Sequence, residues 1–514
     1  MPEHIKSFIF VLLFSIIIFL FSKSTALSIT TKENFSRRCK LWLGLTSIIF
    51  ITHSIALYIF LAAPLLLLTA ANEKNKVSLF FFLILALPFT SVDVPAFGVV
   101  NFLFTVDPIR FLELIILLPL FFKLLQRNDS IRFLKITSDK YIFAYLLWTV
   151  LLLFLTSTMT NTLRFIFYVF IDVFLPYYVI SRSLKNTQDF KDALFAFVVS
   201  CSVIAIIGIF EFLKSWLLYN SLTHILGISR GIGGYLRRGD SLRVMASTGY
   251  PLVFGYLLVI CLGFFLVIQK HIKNRIVRGI WLALILVALI ASQARGPWVG
   301  AIILTCIFIL TGTKILTNLF ALAMAGGLTL GGLAVTPFGE KIINSLPFIG
   351  TSEQFNVTYR QLLIENSLKL VLHNPIFGVP NVLEELKGMK QGEGIVDIVN
   401  TYVSIALSSG LVGLILFISF FVTITFGIYQ AMRNVVNIND ELHLIGRSLL
   451  GSLIAILIMI GTVSSVSFIP VTYWSVAGLG MAYVRIVRRA LEDSNTQVKL
   501  KNEKGVYNDM CLTT

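Results

Sequence analysis

Long apolar runs separated by short polar breaks set the pattern of this chain. Many of the runs approach the 20 or so residues that an α-helix needs to cross a bilayer. They fall at 7–22, 41–70, 78–91, 108–126, 141–158, 162–181, 192–213, 249–269, 278–293, 297–312, 314–335, 398–429, 448–467 and 469–487. Backbone groups in lipid must be satisfied internally, so runs of this length predict helices rather than a barrel. Residues 41–70 predict either one tilted helix or two short ones meeting near His53. The first run follows Lys6 as in a signal sequence, but SKSTALS is a poor cleavage site, so it reads as a retained helix.

The expected fold is all-α, a polytopic integral membrane helical bundle with one large external loop subdomain. Residues 1–77 supply N-terminal membrane segments, and 78–335 a membrane core with an external basic loop at 214–247. Residues 336–397 form the large external loop, 398–487 the C-terminal membrane helices, and 488–514 a cytoplasmic tail.

Composition agrees with this pattern. The chain is 57% hydrophobic and only 13% charged, about half the charged share of a soluble domain. Its net charge of +16 would suit a nucleic-acid partner, but Lys and Arg gather in cytoplasmic loops of membrane proteins for topological reasons. We therefore expect membrane lipid around the chain and no nucleic acid. Basic segments 123–140 and 270–278, and Arg485, Arg488 and Arg489, are expected in the cytoplasm. This puts the linker 91–107, which has no Lys or Arg, outside. Lys32, Arg37, Arg38 and Lys40 argue for an internal loop, which makes 41–70 a hairpin or leaves the N-terminus outside. The five cysteines contain no CxxC and predict neither a disulfide framework nor a zinc site. No sequence repeat is visible, which argues against an inverted-repeat transporter.

Three features on the expected external side carry candidate chemistry. The first is the turn SQARGPWVG at 292–300. Proline suits a first helical turn, where its missing N–H would go unpaired anyway, and Trp298 fits an interfacial belt. Arg295 is either a snorkelling arginine or a functional cation, and external ends do not favour Arg. The second is the loop 214–247, with Arg230, Arg237, Arg238 and Arg243 against one acid, Asp240. Arginine suits bidentate recognition of phosphate or carboxylate, although a solvated basic face is the plain alternative.

The third is the large loop, in which NVTYRQLLIENSLKLVLHNPIFGVP predicts one helix lying on the membrane surface. Its stripe is Tyr359, Leu362, Leu363, Leu370 and Val371, with Pro375 and Gly378 as the stop and Arg360 as a further cation. His373 there reads as a helix-end interaction or a catalyst. Beyond the loop, Asp397 and Asn400 are three apart at the start of a span, where an acid caps or catalyses. Asp172 is an acid well inside a span, either functional or paired across helices.

In this order the motifs resemble the O-antigen ligase and O-antigen polymerase family, over roughly 78–487. LRVMASTGYPLVFGYLL, with Arg243, is similar to the family's external arginine before a Gly-Thr-Phe-type motif. SQARGPWVG resembles its Ser-Arg-Gly-x-Trp-Leu-Gly turn and keeps Arg295, Gly296, Trp298 and Gly300. Arg360 and NPIFGVP resemble its Arg-led helix and Pro-x-x-Gly-Val. VNTYVSIALSSGLVGL resembles its His-Asn-x-Tyr-Leu stretch and Gly-Leu-x-Gly-Leu, with Val399 where the family has histidine.

The resemblance implies glycan transfer or polymerisation from a polyprenyl-diphosphate-linked glycan donor to a glycan or lipid acceptor. It implies the external face of a bacterial inner membrane, a cytoplasmic C-terminus, and neither metal nor cofactor. Arg243, Arg295 and Arg360 would bind the diphosphate, and Arg237, Arg238, Trp298 and Tyr402 would line the substrate loop. Asp397, Asn400 and His373 would serve catalysis, with Asp397 as replacement base for the missing histidine. A lipid-linked glycan flippase or transporter is the alternative function.

Overall fold

The computed structural model describes residues 1–96, 101–127, 131–227, 233–238, 241–334, 354–380, 382–386, 398–435 and 440–511. They form an all-α membrane bundle with two short β-hairpins. In the N-terminal part, α1 is Glu3–Ile29, α2 Lys32–Ile51, α3 Ile55–Ala71 and α4 Lys76–Leu83. The strands β1 (Val92–Pro95) and β2 (Phe102–Val106) pair antiparallel before α5 (Pro108–Leu112) and α6 (Leu118–Leu125). Then come α7 (Thr137–Thr156), α8 (Met159–Val169), α9 (Leu175–Ser183), α10 (Thr187–Lys214) and α11 (Asn220–Ile225). The hairpin β3 (Arg237–Arg238) and β4 (Ser241–Leu242) leads to α12 (Pro251–Ile268), α13 (Arg275–Ala291), α14 (Arg295–Leu310) and α15 (Ile315–Ala334). The described remainder is α16 (Gln354–His373), α17 (Val382–Glu385), α18 (Thr401–Arg433), α19 (Glu441–Ile460) and α20 (Phe468–Cys511).

Seven helices among the described residues are long and apolar enough to cross a membrane. Helices α10 and α12 bury 83% and 89% of their apolar stretches against 17% for α7, so they form the centre and α7 the rim. Rim helices turn large apolar side chains outward: Phe60 is 73% exposed, Leu155 80% and Leu316 83%. Such surface is costly in water and neutral in lipid.

Several predicted spans are broken. Residues 41–70 resolve into α2 and α3, with the turn at Thr52, His53 and Ser54. Glu3 accepts a hydrogen bond from Trp216 Nε1 at 2.9 Å, and the His4 and His53 rings lie 6.2 Å apart. The start of α1 and the α2–α3 turn therefore sit at the end of the bundle where α10 finishes. Lys32, Arg37, Arg38 and Lys40 sit at the other end. Of the two options left open for this region, the hairpin at 41–70 is the one the helices form. Residues 78–91 give only the short α4 and an irregular, mostly buried continuation.

Two further spans contain π-turns, Glu113–Leu117 and Phe170–Phe174. Asp172 lies in the second and is paired across helices. It accepts from Arg110 Nε at 2.9 Å and Nη2 at 2.7 Å, and the guanidinium lies over the Tyr168 ring at 4.0 Å. Asp107 caps α5 through the Ile109 and Arg110 amides. Burial lifts its carboxyl to about 6 against the pull of Arg110. A second network pins the opposite end: Arg38 donates to Asp192 at 2.7 and 2.8 Å and to Glu73 at 2.8 Å.

The helix α18 is interrupted at Gly410, whose φ of 66° and ψ of −175° lie outside the helical region. Few residues but glycine adopt that conformation. The gap is filled by the segment after α16. Val379 N donates to Leu407 O at 2.7 Å, Leu411 N donates to Pro375 O at 2.7 Å, and Trp148 Nε1 donates to Ser409 O at 2.9 Å. Trp148 also stacks on Phe377, with centroids 5.7 Å apart. The two backbones are so close that a Cβ on Gly378 would meet Leu407 O at 2.5 Å, and one on Gly410 would meet Ile376 O at 2.1 Å.

α16 packs on the first half of α18 through Tyr359, Leu363 and Val371, with Leu370 partly buried. Leu362, placed in the same stripe by the sequence, faces out at 46% exposure, and Ile364, Leu368 and Leu372 are exposed too. The helix thus carries apolar residues beyond the side that protein fills.

Gly410→Ala should lower stability by about 2 kcal/mol or more, since it adds left-handed strain and breaks hydrogen bonds at the joint. Unfolding of the purified chain in detergent would show this as an earlier midpoint. Gly326→Ala, with nothing within 4 Å of its Cβ, should leave the midpoint unchanged or slightly higher.

Candidate functional site

The sequence SQARG makes a tight reversal. Helix α13 ends at Ala291, Gln293 takes a positive φ of 49°, and Ala294 caps α14. Arg295 is the first residue of α14, and Pro297 follows in its first turn, where no N–H is needed. Ser292 Oγ ties the turn, donating to Leu289 O at 2.6 Å and accepting from Ala294 N at 3.3 Å. Trp298 Nε1 donates to Leu289 O at 2.9 Å, so its ring is fastened back onto α13. Arg295 is half-buried.

The basic loop lies against this turn. Arg238 Nη1 donates to Gln293 O at 2.6 Å, a direct tie between β3 and the residue two before Arg295. Arg237 pairs with Leu242 and Arg238 with Ser241, and Arg243 N continues the ladder to Leu236 O at 2.9 Å. Arg237 is exposed, while Arg238 and Arg243 are half-buried. Arg230 and Asp240 lie outside the described residues.

An acid that sequence reasoning missed holds the loop from beneath. Glu211, fully buried in the last turn of α10, accepts from Leu218 N at 3.0 Å, Met245 N at 3.3 Å and Ala246 N at 2.9 Å. The only sequence signal was one carboxylate closing an apolar run, in IFEFLK. Ser247 adds a second anchor, its Oγ donating to Leu85 O at 2.9 Å.

The start of α18 joins the same end of the bundle. Asn400 caps it, its side-chain oxygen accepting from Tyr402 N at 2.9 Å and Val403 N at 3.2 Å. Thr401 Oγ1 bonds Val463 O at 3.0 Å and Ser465 Oγ at 2.9 Å, and Tyr402 OH donates to Leu457 O at 2.6 Å. The connection 461–467 also touches the other two segments. A Cβ on Gly296 would stand 2.9 Å from Thr462 Oγ1. Ser467 Oγ donates to Thr248 O at 3.4 Å. The loop of Arg243, the turn of Arg295 and the cap Asn400 are therefore neighbours around 461–467.

Arg360 and His373 are exposed on α16, which the Gly378–Gly410 joint holds beside the first half of α18. His373 is the last residue of α16. Asp397 lies outside the described residues. Among the described residues no three His, Cys, Asp or Glu side chains group as metal ligands. The arrangement offers fixed cations and helix-end polar groups, which suits an anionic ligand.

Glu211→Gln should turn an amide N–H toward backbone donors and cost about 1–3 kcal/mol locally. Limited proteolysis should then cut the 233–243 segment sooner than in the native chain, with overall helicity unchanged.

Residues 279–418 match a family model described as O-antigen ligase. No curated protein matches the chain.

Proposed function

Because residues 279–418 match a family model described as O-antigen ligase, we propose that the chain transfers or polymerises glycan from a polyprenyl-diphosphate carrier in cell-surface polysaccharide synthesis. The observation that carries this reading is the Arg238 bond to Gln293 O, which fastens the arginine-rich hairpin to the Arg295 turn. Cations gathered on one end of a membrane bundle suit a charged headgroup whose tail lies in lipid. That end is the extracytoplasmic one in our reading, because the basic segments 123–140, 270–278 and 485–489 all fall on the other side. The C-terminus is then cytoplasmic.

In the proposed reaction an acceptor hydroxyl oxygen attacks the anomeric carbon of the donor. The bond to the diphosphate oxygen breaks with its electron pair, and the hydroxyl proton passes to a base. Arg243 and Arg295, with Arg360 second, stabilise the departing diphosphate where its charge grows. Arg237, Arg238, Trp298 and Tyr402 shape the substrate loop. Asp397 takes the proton, with His373 as the competing base and Asn400 as the group fixing the start of α18. No metal enters this scheme.

Arg295→Lys keeps the charge and loses the bidentate fork. With the full chain reconstituted and a lipid-linked glycan donor, turnover should fall by about 10²-fold. Full activity of both Arg295→Lys and Arg295→Ala would return Arg295 to a snorkelling role.

Asp397→Asn removes basicity while preserving shape, and should cost about 10²-fold or more in the same assay. Normal turnover there together with loss in His373→Ala would move the base to His373. Glycans from a deletion strain would separate ligase from polymerase: unattached long chains indicate the first, single attached repeats the second.

A further inference from the structure

A cavity lies far from the arginine cluster, between α2 and α3 at the opposite end of the bundle. It measures about 610 Å³ and is lined by Lys32, Arg37 and Lys40, with Glu33 the acid among them, and by Leu65 and Thr69 of α3. That volume lies within the ~300–1,000 Å³ usual for small-ligand sites. The helices touch at Gly44, where a Cβ would stand 3.4 Å from Leu65 Cδ2.

Charge and apolar surface are arranged in order along this hairpin. Arg37 is partly committed to the fold, donating to Asn72 O at 3.0 Å and standing 3.6 Å from Glu73. Lys32 and Lys40 are exposed and make no ion pair among the described residues. Leu57, Leu61, Leu65 and Leu68 follow at helical spacing along one side of α3. Leu57, Leu61 and Leu68 are 48%, 43% and 70% exposed, so an apolar stripe runs from the cavity along the outer surface. Cations at the mouth and an uncovered leucine stripe leading away match a molecule with an anionic head and long apolar tails.

We propose that this cavity binds the phosphate headgroup of an anionic membrane phospholipid, with its acyl chains along the leucine stripe of α3. Basic pockets between membrane helices on the cytoplasmic side suit such headgroups, and each cation near the surface adds to the attraction. Lys32 and Lys40 supply the free charge and Arg37 a fixed donor. The site is separate from the transfer reaction, and its failure would leave that reading untouched.

The test uses the full chain in neutral detergent. Thermal unfolding is followed with phosphatidylglycerol, phosphatidylcholine or inorganic phosphate added, and bound lipid is counted by native mass spectrometry. Phosphatidylglycerol should raise the midpoint and stay bound, and the other two should do neither. Lys32→Gln/Lys40→Gln should keep the lipid-free midpoint and bind phosphatidylglycerol on the order of tenfold more weakly. The control Lys135→Gln/Lys140→Gln should bind as the native chain does. Equal effects of the two lipids, equal effects of inorganic phosphate, or unchanged binding in the Lys32/Lys40 variant would each overturn the proposal.

Discussion

A helix interrupted inside lipid has no water to satisfy its freed backbone groups, and each one left unpaired costs several kcal/mol. The break at Gly410 in α18 is therefore possible only because protein fills it. Val379 N, Pro375 O and Trp148 Nε1 supply what the helix lacks at Leu407 O, Leu411 N and Ser409 O. Three parts of the chain are bound together by this one requirement: α7, the segment after α16, and α18. The helix is kinked at Gly410, so the position of Asn400 and Tyr402 at its start follows from the joint. The seat of α16, with Arg360 and His373, follows from it too.

A cluster of arginines at the rim of a membrane bundle repels itself and needs a rigid support. The support is assembled mainly from backbone. Glu211 accepts three amides and thereby fixes the path of 243–246 from inside α10. Arg238 spends one donor on Gln293 O, which sets the distance between hairpin and turn. At the other end the buried Arg38–Asp192–Glu73 network joins α2, α10 and the α3–α4 connection. Breaking a buried pair from one side leaves an uncompensated charge, so that network locks the helices that carry the site more than it adds net stability.

The all-α membrane class and the helix in the large loop were legible because both rest on runs and periodicity, while the fourteen runs overstated the count of long spans, seven among the described residues. The contacts of that helix were less so. Leu362 shares helical spacing with Tyr359 and Leu363 within the tolerance of a pattern, and only the position of α18 decides which side is filled. The π-turns at Glu113–Leu117 and Phe170–Phe174 leave no signature in hydropathy. NPIFGVP and SSGLVGL were each readable as motifs, but their meeting was not, since it depends on two glycines about 30 residues apart approaching backbone to backbone. Asp172 was visible as an anomaly, and its explanation lay in Arg110, unremarkable in sequence. Glu211 was passed over because an acid at a helix end is ordinary until three amides are found on it.

The hydrogen bonds at the start of α18 narrow the chemistry open to this end of the bundle. The Asn400 oxygen already accepts from two amides, which leaves its NH₂ group as the part free to act, and that group only donates. Tyr402 commits its proton to Leu457 O. Arg238, Arg243 and Arg295 are donors by nature and stay charged. The described groups around 461–467 are thus suited to receiving negative charge, not to accepting a proton. An end built this way suits a ligand that carries or develops negative charge, and a proton acceptor is not among these groups. The joint at Gly410 ties α16 and the segment after it to the first half of α18, the helix that begins at this cap.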